Sequence, residues 1–402
     1  MNIKLLLGLI IYKIAPIHRN RYVFTSFNGH YSDNTKAISI KLHEMAPLAE
    51  IVWLLNNDYN CDIPKYVKTV DINSLSSYWY RGTATAQIDN VYGFSAQFRN
   101  DNSIKAKIEL LVLSYLTSKK KQPIFATMHG AALLKKIGRD QIGNTVMDMK
   151  CSNSYLLVND DFTANVLKRV TFGKMFICSI GSPRNDVLFY QNNDIKGRIG
   201  LPGDKRIILY APTFRNDGAD VDGKNVYRSG LNQLSDINFD MLFQTLQEKF
   251  GGEWVMVCRF HYHVANMVNW DNLNSLYPGK FINGNEHDDM ADYLVCADIL
   301  LTDSSSSAFD FWHTKKPIFI YFPDIDNYRN KERGFYVDIE DLPFTVADKF
   351  TKLIDNIEEY NQLEYSQKVD EWIEKIGDKN DGYSSLRAVN FILDRSMESD
   401  IK

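Results

Sequence analysis

The sequence lacks several local motifs by which common enzyme classes are recognised. No GxGxxG follows a strand-like run and no GxxxxGK is followed by Ser or Thr, so typical dinucleotide and P-loop sites are excluded. HExxH and GxSxG are absent too, which excludes the usual zinc-protease helix and the nucleophile elbow of α/β-hydrolases. Any chemistry must therefore come from residues that the fold brings together.

Cysteine is scarce. The five cysteines are an odd number and form no CxxC pair. This pattern argues against a disulfide framework or a zinc site, and it predicts reduced, buried thiols in a cytoplasmic protein.

Long apolar runs and an excess of one charge are also missing. Residues 1–15 are apolar but too short for a transmembrane helix, which needs about 20 residues, and they lack the small-x-small site of a signal peptide. They predict either a helix packed on the first domain or a segment lying in the membrane interface. Lys and Arg number 46 against 50 Asp and Glu, which argues against a nucleic-acid partner.

Strand-like and helix-like segments alternate along the chain, which predicts parallel sheets covered by helices on both faces. Residues 191–204 are rich in Asn, Gly, Asp and Pro and resemble an interdomain linker. We therefore expect an α/β protein with two doubly wound domains, 1–195 and 204–380, and a C-terminal helix at about 384–402 that can pack back on the first. Residues 217–236 are polar and predict a long loop. Ligands of such folds bind beyond the carboxyl ends of the strands.

The first candidate residues follow the strand-like run that ends near Thr127. His129 would stand at a strand end, where an imidazole can act as a general base or can simply be hydrogen-bonded. Gly130 lets a ligand approach the backbone. Lys135 and Lys136 can hold phosphate or form a solvated basic helix face.

Two further strand ends carry hydroxyl groups or cations. Arg184 offers a bidentate fork for phosphate or carboxylate, although a structural interaction with Asp186 is equally compatible with the spacing. Thr213 and Arg215 follow the strand-like run that ends at Tyr210.

The remaining candidates lie in the second half of the chain. Arg259 and His261 share one face of an extended segment, because strand side chains alternate with period two, and together they can clamp a pyrophosphate. Residues 304–307 are four serines, which predict a helix start that binds phosphate, whereas a simple N-cap needs only one serine. Asp324-Ile-Asp326 is treated as a loop, so no metal site is predicted.

Taken together, these strand ends predict a cleft for a nucleotide-diphosphate compound, with phosphoryl or glycosyl transfer as the chemistry and His129 as the base. The order of the motifs also resembles the CDP-glycerol glycerophosphotransferase family, whose members build teichoic acids and related capsular polymers. The motifs that carry the resemblance are Ser26–Asn34, His129-Gly130, Lys135–Gly138, Gly181–Leu188, Tyr210–Arg215, Arg259-Phe-His261, Thr302–Ser306, Phe309-Asp310, Arg333-Gly-Phe335, Asp381-Gly382 and Arg387.

The resemblance implies a GT-B-like fold of two Rossmann-like domains facing a central cleft. It implies transfer of glycerol phosphate, or a related alditol phosphate, from a CDP-activated donor to a lipid-linked saccharide or growing polymer, with release of CMP and no firm cofactor. It places the enzyme on the cytoplasmic face of a bacterial membrane. The roles that it assigns are catalysis for His129 and His261, and donor phosphate binding for Arg259, Thr302, Asp303, Ser305, Ser306 and Arg215. Further cleft candidates are Gly130, Lys135, Lys136, Arg184, Asp186, Thr213 and Asp310.

Several positions depart from the family pattern. Met128 stands where the family usually has Trp, Ser304 where it has Tyr, and Tyr262 where it has Pro. The alternatives are a GT-B glycosyltransferase that uses a UDP-sugar and a nucleotide-binding protein without catalysis.

Overall fold

The structure is a computed structural model. It describes residues 3–27, 29–59, 61–90, 122–128, 130–137, 140, 154–170, 175–190, 194–213, 216–221, 224–227, 234, 236–260, 268–332 and 334–401.

The first sheet has seven described strands, all parallel, in the order β3-β2-β1-β4-β5-β6-β7. The strands are β1 Arg21–Thr25, β2 Glu50–Leu55, β3 Val67–Asp71, β4 Ala86–Asp89, β5 Ile124–Thr127, β6 Ser154–Val158 and β7 Phe176–Ser179. The helices of this part of the chain are α1 Ile3–Ile14, α2 Asp33–Met45, α3 Leu75–Thr83 and α4 Asp161–Val170, followed by a 3₁₀ helix at Pro183–Phe189. Ile51–Leu55 is buried throughout, as expected for a parallel sheet covered on both faces.

The second sheet is also parallel, with six described strands in the order β12-β11-β8-β13-β14-β15. Its strands are β8 Arg206–Tyr210, β11 Trp254–Cys258, β12 Phe281–Asn283, β13 Ile299–Thr302, β14 Ile318–Tyr321 and β15 Thr345–Ala347, and a separate antiparallel pair is formed by β9 Asn216–Val221 and β10 Lys224–Tyr227. The helices are α5 Ile195–Arg198, α6 Phe239–Phe250, α7 Trp270–Leu276, α8 Met290–Cys296, α9 Ser307–Phe311, α10 Ile325–Asn327, α11 Phe350–Glu358, α12 Gln362–Ile376 and α13 Ser384–Ile401. Short 3₁₀ turns lie at Trp312–Thr314 and Ile339–Asp341, and a π turn lies at Tyr328–Glu332.

The contacts divide the chain into two units. Unit 1 comprises Met1–His129, Thr145–Asp186 and Asp378–Lys402, and unit 2 comprises Gly130–Asn144 and Val187–Gly377. Helix α13 belongs to unit 1 because its apolar face enters the core of the first sheet, where Ala388, Val389 and Ile392 are fully buried.

This division differs from the sequence-based boundaries in two respects. The segment that starts at Gly130 groups with the second sheet, because residues 134–137 bond to residues 334–336. The 191–204 segment, expected as a linker, includes helix α5 and lies within unit 2.

Two local predictions were wrong. Part of the 217–236 segment, expected as a loop, is the β9–β10 hairpin. Asp324-Ile-Asp326, also expected as a loop, leads into the short helix α10, Ile325–Asn327.

The described cysteines carry no disulfide. Cys258 and Cys296 are buried, and burial raises the pKa of the Cys296 thiol to about 11. In the part of the chain that the structure describes, no helix combines the length and hydropathy needed to span a membrane.

Candidate functional site

The carboxyl edge of the second sheet has a polar cluster where strand order reverses. The chain forms β8, adds β11 and β12 on one side, and then crosses to place β13 on the other, which makes the β8/β13 edge the switch point where ligands of such folds bind. There the Thr213 N–H donates to Asp303 Oδ1 over 2.8 Å, and the Thr302 hydroxyl donates to the Ala211 carbonyl over 2.6 Å. Thr302, Asp303 and Ser304 are buried. These bonds fix the loops that follow both strands.

Lys135 adds a positive charge to this cluster. Its Nζ donates to Thr213 Oγ1 over 3.0 Å, and the Ser304 hydroxyl lies 3.5 Å from the same oxygen. The backbone of this segment is anchored by an antiparallel bridge between Lys135 and Phe335 and by the bond from Lys136 N–H to the Gly334 carbonyl. An ammonium group beside hydroxyl groups at a switch point is a suitable arrangement for binding phosphate.

Gly130 and Ser306 lie in close contact in this unit. A Cβ on Gly130 would stand 2.8 Å from Ser306 Cβ, closer than side chains normally approach. The absence of a side chain at Gly130 therefore lets the chain pass directly beside Ser306.

The serine run forms a shorter helix start than the sequence predicts. Helix α9 begins only at Ser307 and has five residues, so its dipole is weaker than that of a longer helix. The Ser305 Oγ accepts the Ser307 hydroxyl over 3.0 Å, and Ser306 is partly exposed. Asp310 is buried within α9.

Arg259 follows β11, and its guanidinium group is hydrogen-bonded to backbone. Nη1 donates to the carbonyls of Gly284 and His287, and Nη2 donates to the Asp288 carbonyl. The group also stacks on the Tyr293 ring at 5.3 Å, and burial lowers its pKa from the ordinary value. Arg259 therefore stabilises the backbone of the 284–288 loop. Its role in binding donor phosphate stays a prediction.

Near this loop, three side chains have the composition of a metal site. The ligand atoms of His287, Asp289 and Asp292 lie within 4.8 Å of one another. Asp292 Oδ2, however, is 2.7 Å from His287 Nε2 and 3.2 Å from Arg198 Nη2. The guanidinium group of Arg198 therefore already balances the charge of this carboxylate.

Three predicted site residues, His129, His261 and Arg215, lie outside the described residues. Their roles stay predictions. Lys136 is described and half-buried, with its side chain beside Gly334.

In unit 1, Arg184 is part of a buried ion pair. Its Nη1 lies 2.6 Å from Asp33 Oδ2, and both side chains are about nine-tenths buried, at 10% and 8% exposure. The Arg184 N–H donates to Asn34 Oδ1 over 3.0 Å. Neither Asp33 nor Asn34 is among the predicted site residues. The only signal for them was their place in the Ser26–Asn34 motif.

Asp186 caps the C-terminal helix. Its two carboxylate oxygens accept the N–H groups of Ser384 and Ser385 over 2.9 and 2.7 Å. A negative charge at this position satisfies otherwise unpaired donors of the first turn and opposes the positive end of the helix dipole. Asp186 therefore attaches the start of α13 to the 3₁₀ helix at Pro183–Phe189.

Comparisons with known proteins agree with this architecture. The wall teichoic acid polymerase TagF superposes with a TM-score of 0.74 at 24% identity, over 97% of this chain and 94% of that chain. The fold therefore matches that of TagF, and the expected α/β class with two parallel sheets is confirmed.

Sequence comparison defines the family. A family model described as CDP-glycerol:poly(glycerophosphate) glycerophosphotransferase matches residues 9–394. The teichoic acid poly(glycerol phosphate) polymerase of Bacillus subtilis strain 168 is 29% identical over 400 residues, which are 94% of this chain and 49% of that protein. The teichoic acid glycerol-phosphate transferase of Staphylococcus aureus is 26% identical over 394 residues, 92% of each chain.

The fold and the switch-point cluster define a doubly wound α/β protein with a candidate phosphate-binding edge. The chain belongs to the CDP-glycerol:poly(glycerophosphate) glycerophosphotransferase family, as its motifs predicted. It spans about half the length of the curated polymerases from Bacillus subtilis and Staphylococcus epidermidis that it matches.

Proposed function

We propose that this protein transfers glycerol phosphate, or a closely related alditol phosphate, from a CDP-activated donor to a hydroxyl group of a growing teichoic-acid-like polymer. The family match over residues 9–394 carries the proposal. The Lys135–Thr213–Asp303 cluster supports it, because a cation and hydroxyl groups meet at the edge where such folds bind phosphate.

The reaction needs positioning more than covalent catalysis. The acceptor oxygen attacks the phosphorus of the alditol phosphate, the bond from that phosphorus to the oxygen of CMP breaks, and the acceptor proton passes to a base. Charge develops on the phosphoryl oxygens, so fixed donors and cations lower the barrier. We assign the base to His129 and the cation to Lys135.

The experiment is a donor panel with purified protein and a glycerol-phosphate-primed acceptor. CDP-glycerol or CDP-ribitol should give CMP, and the better donor identifies the alditol. Release of UDP from a UDP-sugar instead would favour a GT-B glycosyltransferase, and donor binding without turnover would favour a non-catalytic protein. His129→Ala should reduce CMP release to a small residual rate while donor binding persists.

The acceptor is the second part of the proposal. The relatives include proteins named polymerase and a protein named glycerol-phosphate transferase. Product length on a short primed acceptor separates the two activities, because a polymerase gives a ladder and a transferase adds a limited number of units.

Membrane association is supported by helix α1. Its Ile3, Leu7, Ile10 and Ile14 form one stripe and are 40–75% exposed, whereas Gly8 packs closely against Tyr78 of α3. The first 32 residues contain four Lys or Arg and no Asp or Glu. Arg21 pairs with Glu50, but Lys4 and Lys13 belong to α1 itself. An exposed apolar stripe on a helix with these two lysines fits an anionic lipid surface, where each Lys or Arg adds about 1 kcal/mol.

Vesicle sedimentation tests this placement. The protein should bind phosphatidylglycerol vesicles more tightly than phosphatidylcholine vesicles, and Leu7→Ser with Ile10→Ser should weaken binding. Leu48→Ser is the matched control, because Leu48 is 93% exposed outside α1. Equal binding of all variants would contradict the assignment to α1.

A further inference from the structure

The side chain of Asn34 links three segments of unit 1. Its Nδ2 donates to the Met128 carbonyl over 2.7 Å, and its Oδ1 accepts the Arg184 N–H over 3.0 Å. Asn34 is only 1% exposed. Because the amide group is planar and has its donor and acceptor at fixed positions, it can make both bonds only if the two backbones keep one relative geometry.

Asn34 is itself held in place. Asp33 Oδ1 accepts the Asn34 N–H over 2.6 Å, and Asp33 Oδ2 accepts from Arg184 Nη1. Asp33 has a φ of 64°, a left-handed conformation that is uncommon outside glycine but that Asp adopts more readily than most residues. The buried ion pair with Arg184 holds the Asp33 side chain in this position.

The bond to Met128 lies at the exit of β5. The Met128 N–H donates to the Leu157 carbonyl of β6 over 3.1 Å, while its carbonyl accepts from Asn34. The peptide bond is planar, so fixing the Met128 carbonyl also fixes the plane from which the chain continues toward residue 129.

We propose that Asn34 is a positioning residue for the base assigned to His129. The inference rests on the proposed function, and it gives the Ser26–Asn34 motif a role. Asn34 touches neither donor nor acceptor in this role. It orients the backbone of the strand end through Met128, and small displacements of a reacting group strongly lower turnover.

Steady-state kinetics of CMP release test the proposal. Asn34→Ala should lower kcat about 10–100-fold, on the order of the loss expected for a displacement of about 1 Å, with the donor KM nearly unchanged. Asn34→Asp keeps the side-chain volume and the oxygen that accepts the Arg184 N–H, but it places a second oxygen against the Met128 carbonyl. It should therefore also lower kcat and leave the donor KM nearly unchanged. It carries the test if Asn34→Ala does not fold.

Ser39→Ala is the matched control, because Ser39 is a buried polar residue of the same helix whose hydroxyl donates to the Lys36 carbonyl over 2.9 Å. It should keep the wild-type kcat. If both Asn34 variants are folded and keep kcat, or raise the donor KM instead, the positioning role is wrong.

A double variant separates positioning from general structural damage. In a His129→Ala background, Asn34→Ala should leave the residual rate unchanged, because the group that it positions is gone. A further loss by the full single-variant factor would overturn the proposal. If the wild-type protein releases no CMP from either CDP-alditol, the proposed function fails first, and the role of Asn34 fails with it.

Discussion

The carboxyl edges of the two sheets use their polar residues in opposite ways. In unit 1, Asp33 pairs with Arg184 and Asp186 caps α13, so charged groups far apart in sequence hold the chain together. In unit 2, the edge has an ammonium group, Lys135, beside the hydroxyl of Thr213. A buried ion pair and a cation among hydroxyl groups are different chemical arrangements, although both follow parallel strands.

The difference shows what strand-end polar residues can and cannot indicate. Topology fixes where a ligand would bind, because the edge beyond the switch point is open in doubly wound folds. It does not decide which of the residues there bind it. Arg184 forms a buried ion pair whose disruption would leave a buried carboxylate uncompensated, whereas Lys135 contacts a hydroxyl group at the switch point and is the stronger candidate for binding substrate.

The largest expected effect is on the unit 1 side of this comparison. Arg184→Ala leaves the Asp33 carboxylate buried without its cation, and loss of one partner of a buried pair costs about 3–5 kcal/mol. The free energy of unfolding from urea titration should fall by that order, while donor binding to the remaining folded protein persists.

Lys368→Ala is the control for this prediction. Lys368 pairs with Glu364 at the surface, with side-chain exposures of 54% and 60%, so its loss should cost at most about 1 kcal/mol. Similar losses of unfolding free energy for the two variants would contradict the distinction between the two sheet edges. A higher donor KM for Arg184→Ala, with no such change in the control, would contradict it too.

Much of the fold can be predicted from the sequence. The strand-like runs that end near Thr127 and at Tyr210 are β5 and β8, because each is a short apolar run. The C-terminal helix predicted at about 384–402 is α13, Ser384–Ile401, and it packs on the first sheet as expected.

The pairing of polar residues cannot be read in the same way. Asp33 and Arg184 are 151 positions apart, and hydrophobic periodicity carries no information about such contacts. The same holds for the segment after Gly130, which follows a strand of the first sheet but bonds to residues 334–336 of the second. Asn34 was missed for this reason, since its role depends on two distant backbone groups.

The next effect concerns Asp160, another charged residue of the unit 1 edge, at the carboxyl end of β6. Burial raises the pKa of this carboxyl to about 6, although its oxygens accept the N–H and hydroxyl of Thr163 over 2.6 and 2.8 Å. A pKa above the ordinary value of 3.8 means that its contribution to stability is full below pH 3.8 and is lost as the pH rises through about 6.

Asp160→Asn removes this titration. The unfolding free energy of the variant minus that of the wild type should therefore rise between pH 4 and pH 7, by up to about 3 kcal/mol. Urea titration at several pH values measures the difference, and other carboxylates cancel because both proteins contain them. A flat difference would mean that the folded protein does not raise the pKa of Asp160.

The smallest expected effect, and the one that tests the unit 2 edge, is on donor affinity. Lys135→Ala should raise the donor KM about 10–100-fold, since hydrogen bonds to charged groups contribute about 1.5–3 kcal/mol, and it should change the unfolding free energy little. Lys135→Arg should recover part of the lost donor affinity because the charge remains.

Lys136→Ala is the control, since Lys136 is anchored through its backbone to Gly334 and its substitution should affect the donor KM less. If the two alanine variants raise the donor KM equally, the contact with Thr213 does not give Lys135 a special role in donor binding. If Lys135→Ala instead lowers stability and leaves KM unchanged, the two edges are alike and both serve to hold the chain together.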